Sequence, residues 1–195
     1  MKTIQLFPTI VWETYLNLDL DELREEIYNF SKVTPTENIS NFGGYQGHQF
    51  EYKPLSNAIK HIVPRCDYQE LGDLFISSWV NINNRGDYNG RHTHSNGINF
   101  LSGVYYVTVP KNSGNIIFFD PKSMIFSSAP DGEYYHRSPS EVCEPKDNML
   151  LLFPSWLEHE VEKNNTDEDR ISISFNLTRK NQVDNYKHVY SFETI

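Results

Sequence analysis

The class this sequence predicts is mainly β, an α+β chain with its helices at the N-terminal side, and three observations predict it. Two stretches before residue 64 space their apolar residues at helical intervals. From Asp73 onward the apolar period becomes two. Aromatics are abundant, with 12 Tyr, 12 Phe and 3 Trp, and many stand in short alternating runs, the pattern that sheet favours. Strands joined by short turns form a meander of the kind found in barrels and sandwiches. Two helices ahead of a sheet read as a layer over one of its faces. A chain of 195 residues is most simply one domain, 1–195, with its core over about 73–180.

Residues 3 to 16 alternate and predict one or two strands broken at Pro8. Asp19 then caps a helix with an acidic first turn, as the helix dipole favours. Leu20, Leu23, Ile27 and Phe30 give that helix one apolar face, ending near Ser31. Residues 32 to 52 are rich in Asn, Gly, Thr and Gln and predict a loop with a short strand at its end. His48 in this loop reads as simply exposed. Pro54 starts a second helix, whose stripe is Leu55, Ala58, Ile59, Ile62 and Val63, and Pro64 ends it. D-L-F-I-S-S-W-V-N-I-N-N is a strand with Trp79, Asn81 and Asn83 on one face, and R-G-D-Y-N-G-R is the loop after it. After R-H-T-H come the strand L-S-G-V-Y-Y-V-T-V, the turn P-K-N-S-G and the strand N-I-I-F-F-D-P. Residues 121 to 145, with several Pro and Ser, predict a long loop, either a lid or a plain excursion. M-L-L-L-F is a buried strand, P-S-W-L a tight turn and E-H-E-V a short strand. R-I-S-I-S-F-N-L-T-R is the last strong strand, and the tail from Asn181 is polar.

The formal charge is -9 and no Lys/Arg cluster stands out, so a nucleic-acid partner is not expected. Of the two cysteines, Cys66 and Cys143, neither sits in a C-x-x-C pair; a disulfide stays open, and a reducing cytoplasm is the simpler expectation. The first apolar run is too short for a signal peptide. No run approaches membrane-spanning length, so no membrane partner is expected.

His92 and His94 are two apart, so on an extended backbone both imidazoles project from one face. An H-x-H pair is by itself a weak metal signal and equally a pair of surface histidines. His159 follows a buried run and a tight turn, at a strand end. Arg170, Ser172, Ser174 and Asn176 share one face of the last strand, while Ile171, Ile173, Phe175 and Leu177 share the other. Arg170 with Ser172 two residues on makes a good carboxylate clamp, a bidentate fork plus a hydroxyl. Imidazole ligands with open coordination positions suit Fe(II).

The strings L-S-G-V-Y-Y-V, F-P-S-W-L-E-H and R-I-S-I-S-F-N resemble the 2OG-Fe(II) oxygenases of bacteria and their phages, in the prolyl-4-hydroxylase-like branch of the 2-oxoglutarate/Fe(II) dioxygenases. The resemblance covers about Trp79 to Leu177. It implies a double-stranded β-helix, a distorted jelly roll of the cupin-like kind, with the helices backing one sheet. It implies Fe(II), 2-oxoglutarate as co-substrate and O2. The family pattern is H-x-D, a distal His and then Arg-x-Ser. On it, His92 is the first metal ligand, His159 the distal one, and Arg170 with Ser172 the clamp for the far carboxylate. Tyr106 matches a tyrosine that bonds the same carboxylate, or else is a core tyrosine. Asn81 joins the expected co-substrate contacts. His94 stands where the pattern has Asp or Glu, so the second metal ligand is His94, Asp120 or Asp87. His136 and His188 are the reserve candidates for the distal position. The implied reaction is hydroxylation of a C–H bond on a small molecule or a peptide, with a prolyl side chain as one choice, in the cytoplasm, the host's if the gene is a phage's. The rival expectation is a cupin-like protein that binds metal or ligand without oxidising anything.

Overall fold

The computed structural model describes residue 2, residues 7–66, 73–122 and 139–179, and the backbone of 193–194. In chain order the elements are β1 (Trp12–Tyr15), α1 (Leu20–Val33), β2 (Asn41–Phe42), β3 (Tyr45–His48), α2 (Lys53–Ile62) with a 3-10 turn Val63–Arg65, β4 (Leu74–Asn83), β5 (Tyr88–His92) and β6 (Asn99–Thr108). Then follow β7 (Ile116–Phe119), β8 (Ser140–Cys143), β9 (Met149–Pro154), β10 (His159–Val161), β11 (Arg170–Arg179) and β12 (Glu193–Thr194). Among the described residues, no helix is long and apolar enough to cross a membrane.

Two antiparallel sheets face each other. The larger runs β1-β9-β6-β11-β4-β12, with β3 also paired to β4; the smaller runs β2-β5-β10-β7-β8. This is the double-stranded β-helix. Its spine is β11, which pairs with β4 from Arg170↔Asn83 to Arg179↔Leu74 and with β6 on its other side. Alternation along β11 separates two environments. Ile171, Ile173, Phe175 and Leu177 join a core with Leu23 and Ile27 of α1 and Leu55 and Ile59 of α2. Each such fully buried side chain contributes roughly 1.5–3 kcal/mol. The helices therefore back the larger sheet, as the apolar stripes predict. A second core of Val104, Tyr106, Phe118, Met149, Leu151 and Phe153 fills the space between the sheets.

Helix α1 begins at Asp19, whose carboxylate accepts from the amides of Asp21 and Glu22, so the sequence-based cap holds. Gly103 in β6 is required by packing: a Cβ there would lie 2.4 Å from Phe175 Cζ and 2.7 Å from the Leu151 carbonyl oxygen.

Three expectations need correction. R-G-D-Y-N-G-R is not all loop; Tyr88–His92 is a strand, because β2 and β10 pair with its two sides. The Asn/Gly-rich 32 to 52 stretch carries β2 and β3, folded back around Gly43 and Gly44, whose φ values of 76 and 68 glycine adopts freely. Within 121 to 145, Ser140–Cys143 is a strand because β7 supplies its ladder; the remainder of that expected lid, 123–138, lies outside the described residues. Near the N-terminus, Trp12–Tyr15 forms the strand expected after Pro8, and residues 3–6 lie outside the described set. Most of the tail from Asn181 also lies outside it, although Glu193 and Thr194 pair with β4.

Candidate active site

The cleft between the sheets is lined by His92, His94 and His159 at one level and Arg170, Ser172, Tyr106 and Asn81 at another, with Trp79, Phe153 and Ser174 between them. The register explains the first group. His92 closes β5 and His159 opens β10, and they are direct cross-strand partners. His94 lies just past β5, its backbone held by its own amide on Ser155 O at 2.9 Å and by Asn99 Nδ2 on its carbonyl at 3.1 Å. The ring centroids are 4.4 Å apart for His92–His159 and 5.0 Å for His92–His94 and His94–His159. One donor atom from each lies within 4.8 Å of the others, so the three could hold a metal ion.

The donor chemistry fits such an ion. His92 Nδ1 is 2.6 Å from Gly90 O and His159 Nδ1 is 2.8 Å from Leu157 O. A carbonyl can only accept, so each Nδ1 carries the proton and each Nε2 keeps its lone pair. His94 Nε2 and His159 Nε2 face each other at 3.2 Å. Burial, with the neighbouring imidazoles, pushes His94 down to about 2 and His159 to about 4, and burial alone lowers His92, against the Gly90 hydrogen bond. All three are neutral near pH 7, as ligands must be. Outside the cleft, an exposed Arg91–Glu158 ion pair clips together the residues next to His92 and His159. Such pairs contribute little, about 1 kcal/mol at most.

The two carboxylates weighed against His94 point elsewhere. Asp87 accepts from the Asn84 amide in the β4–β5 turn, and Asp120 from the Lys122 amide beyond β7. Neither lines the cleft, and neither does any other Asp or Glu among the described residues. His136 and His188 lie outside the described residues.

Arg170 is buried, with 2% exposure. Its Nη1 donates to Ser113 O at 2.9 Å and Glu162 O at 3.3 Å, and among the described residues no carboxylate forms a salt bridge with it. The Ser113 carbonyl is presented by the β6–β7 turn. Gly114 there has φ 93, and a Cβ on it would lie 2.6 Å from Glu162 O. Burial lowers the Arg170 pKa, but a guanidinium stays charged. An unpaired cation at this depth wants an anion. Tyr106, 2% exposed, is near enough for the Arg170 charge to lower its hydroxyl pKa against the larger upward effect of burial.

Among the described residues, the structure brings every sequence-derived candidate into this cleft except the two aspartates. Sequence reasoning does not single out Gln46, and His48, expected to be simply exposed, is half-buried. Both belong to β3, and His48 stacks on Trp79 with ring centroids 5.5 Å apart. The only available signal was the short Y-Q-G-H alternation, hidden by its glycines.

Fold and cleft together define a class, the jelly-roll proteins with a histidine cluster and a buried arginine between two facing sheets. The family is more specific. Residues 77–176 match the model described as "Putative 2OG-Fe(II) oxygenase", and the chain belongs to that family. It is thus a 2-oxoglutarate/Fe(II)-dependent oxygenase, with Fe(II) and 2-oxoglutarate as its cofactors. No curated protein matches the sequence significantly. Solved structures share the fold. A prolyl-4-hydroxylase from Pseudomonas putida superposes with a TM-score of 0.62 at 17% identity, over 88% of this chain and 94% of that one. A prolyl hydroxylase from Trichoplax adhaerens, in complex with a hypoxia inducible factor oxygen degradation domain peptide, gives 0.64 at 14%, over 91% and 86%. HygX from Streptomyces hygroscopicus, with nickel, 2-oxoglutarate and hygromycin B bound, gives 0.61 at 9%, over 88% and 84%.

Proposed function

We propose that the protein hydroxylates a C–H bond of a small molecule or a peptide, with His92, His94 and His159 holding Fe(II) and Arg170 holding the far carboxylate of 2-oxoglutarate. The observation that carries this reading is the charge layout of the cleft. Neutral imidazole lone pairs gather at one level, an unpaired buried guanidinium lies at another, and no acid lies among the lining residues described. A dicarboxylate that chelates a cation at one end and meets a guanidinium at the other matches that layout.

When bound, Fe(II) with 2-oxoglutarate and O2 supplies the oxidation: 2-oxoglutarate leaves as succinate and CO2, and the second oxygen atom enters the substrate C–H bond as hydroxyl. The chain's own residues aim that chemistry. Arg170 and the Ser172 hydroxyl bind the far carboxylate, and Tyr106 closes the same end. Asn81, cross-strand partner of Ser172, lines the wall between. Trp79, Phe153 and Val104 make the middle of the cleft apolar, which suits the methylene carbons of 2-oxoglutarate and limits water. Both cysteines are free, which fits a reducing compartment such as the cytoplasm.

A peptide substrate, with prolyl as one choice, is supported by the hydroxylase neighbours, and a small-molecule substrate by HygX with its hygromycin B. The test is metal analysis of anaerobically purified protein, followed by succinate formation from 2-oxoglutarate. Stoichiometric Fe(II) with succinate release supports the reading. Metal uptake with no succinate, with or without candidate substrates, would favour the cupin-like alternative.

A further inference from the structure

The three imidazoles are not held alike. His92 and His159 each have a backbone carbonyl on Nδ1. Among the described residues, no hydrogen bond reaches Nδ1 of His94. Its ring packs on His92 and His159, each at 5.0 Å between centroids, on Trp79 at 5.4 Å and more distantly on Phe153 at 6.4 Å. Apart from the other two histidines, Trp79 is the nearest ring to His94, so what fixes Trp79 also steadies His94.

Trp79 is fixed from β3. His48 stacks on its indole at an interplanar angle of 14°. Gln46, 2% exposed, lies one pair away, opposite Asn81. Its partners decide which way its amide points. With nitrogen toward Asn41 Oδ1 at 2.9 Å and Glu37 O at 3.0 Å, its oxygen accepts the Trp79 indole N–H at 3.2 Å. The reverse orientation sets an oxygen against two acceptors; the chosen one brings the Gln46 oxygen within 3.2 Å of the Asn81 amide, which must then turn its nitrogen toward Gln46 and its oxygen toward the Ser174 hydroxyl. The backbone of Gln46 is pinned as well: its amide donates to Thr36 Oγ1 at 3.0 Å, and its carbonyl accepts from the Glu37 amide at 2.8 Å. A rigid acceptor thus holds the indole, and the indole holds the one imidazole without a carbonyl of its own.

We propose that Gln46 is a positioning residue for the metal ligand His94, acting through the Trp79 indole, and that the Gln46–Trp79 pair does for His94 what Gly90 O and Leu157 O do for the other two. Gln46 lies outside the family-matched residues 77–176, so this support comes from the N-terminal part of the chain. The inference rests on the reading of the three imidazoles as metal ligands. Outer supports of this kind typically change metal affinity ten- to hundred-fold when removed.

The test uses the full-length protein and Co(II), whose visible absorption reports coordination geometry and needs no turnover. Gln46→Met keeps an apolar chain of similar length and removes the acceptor. Gln46→Glu keeps an acceptor for the indole but turns a second oxygen toward Glu37 O and Asn41 Oδ1. If Gln46 positions His94, Met lowers Co(II) affinity about ten- to hundred-fold and shifts the Co(II) bands, while Glu stays closer to wild type. If Gln46 only supports the fold, Glu is the worse of the two. Trp79→Phe keeps a ring beside His94 and deletes the N–H, so it reproduces the Met result without altering β3, and it carries the test should Gln46→Met fail to fold. Unchanged Co(II) affinity and spectrum in Gln46→Met and Trp79→Phe, or a greater loss in Glu than in Met, overturns this inference alone. Wild-type protein that takes up no Co(II) overturns the metal reading, and this inference with it.

Discussion

Arg170 and His94 are the residues whose replacement separates one part of the site from another. Arg170 touches neither an imidazole nor its supports, so Arg170→Ala is expected to weaken 2-oxoglutarate binding while Fe(II) stays bound. Losing one partner of a buried charge pair costs about 2–5 kcal/mol, or about thirty-fold to several thousand-fold in affinity. Calorimetry with metal-loaded protein measures this, and an unchanged affinity would remove Arg170 from the clamp. Arg170→Lys should be nearly as poor, because an ammonium cannot make the fork. At His94 the difference is one of charge. Three neutral imidazoles leave the metal one unit more positive than a pair of imidazoles with a carboxylate. The expected outcome for the native protein is firm binding of the dianionic 2-oxoglutarate with slow turnover. His94→Asp is expected to retain metal and to consume 2-oxoglutarate faster without substrate, as succinate release would show. These residues were legible because each has a local motif: H-x-H, a His after a tight turn, R-x-S. Gln46 was not, because only strand pairing brings it opposite Asn81 and beside the Trp79 indole.

Among the elements, β11 and the two helices could be read directly from periodicity, since one face of each is continuously apolar. Strands β5 and β8 could not. Their sequences, Y-N-G-R-H and S-E-V-C, have few β-formers, and they are strands because neighbours supply ladders on a sheet already formed. Strand β6 shows the converse, a β-rich run interrupted by a residue with poor strand preference. Gly103 is there because Phe175 and the Leu151 carbonyl occupy the space of a side chain. Gly103→Ala should therefore destabilise by about 1–3 kcal/mol, the usual cost of overpacking. Urea unfolding would read this as a lower midpoint with an unchanged slope. A neutral result would mean that Phe175 can turn aside.

For the whole molecule, the histidines couple stability to pH. In the unfolded chain they titrate near 6.5, whereas burial takes His94 to about 2 and His159 to about 4. Below about 6.5 the unfolded chain takes up protons that the folded metal-free protein does not. Its stability is thus fully present above 6.5 and falls as pH drops from 6.5 through about 4 toward about 2. Thermal melts of metal-free protein across that range test the sign; a midpoint that rises on acidification contradicts it. The position of the histidines along the chain has a separate consequence. His94 and His159 meet at 3.2 Å across 65 residues of sequence, and that span contains β6, β7, β8 and β9, strands from both sheets. A cation shared by them would act as a removable cross-link that closes a long loop. In chain-entropy terms such a closure is worth about 4 kcal/mol, and a reversible metal clip gains in the same way. Amide hydrogens of these four strands should then exchange more slowly with metal bound, while those of α1 change least. On this view the ion staples β5 to β10 within the smaller sheet, and its loss would be felt by strands that never touch it.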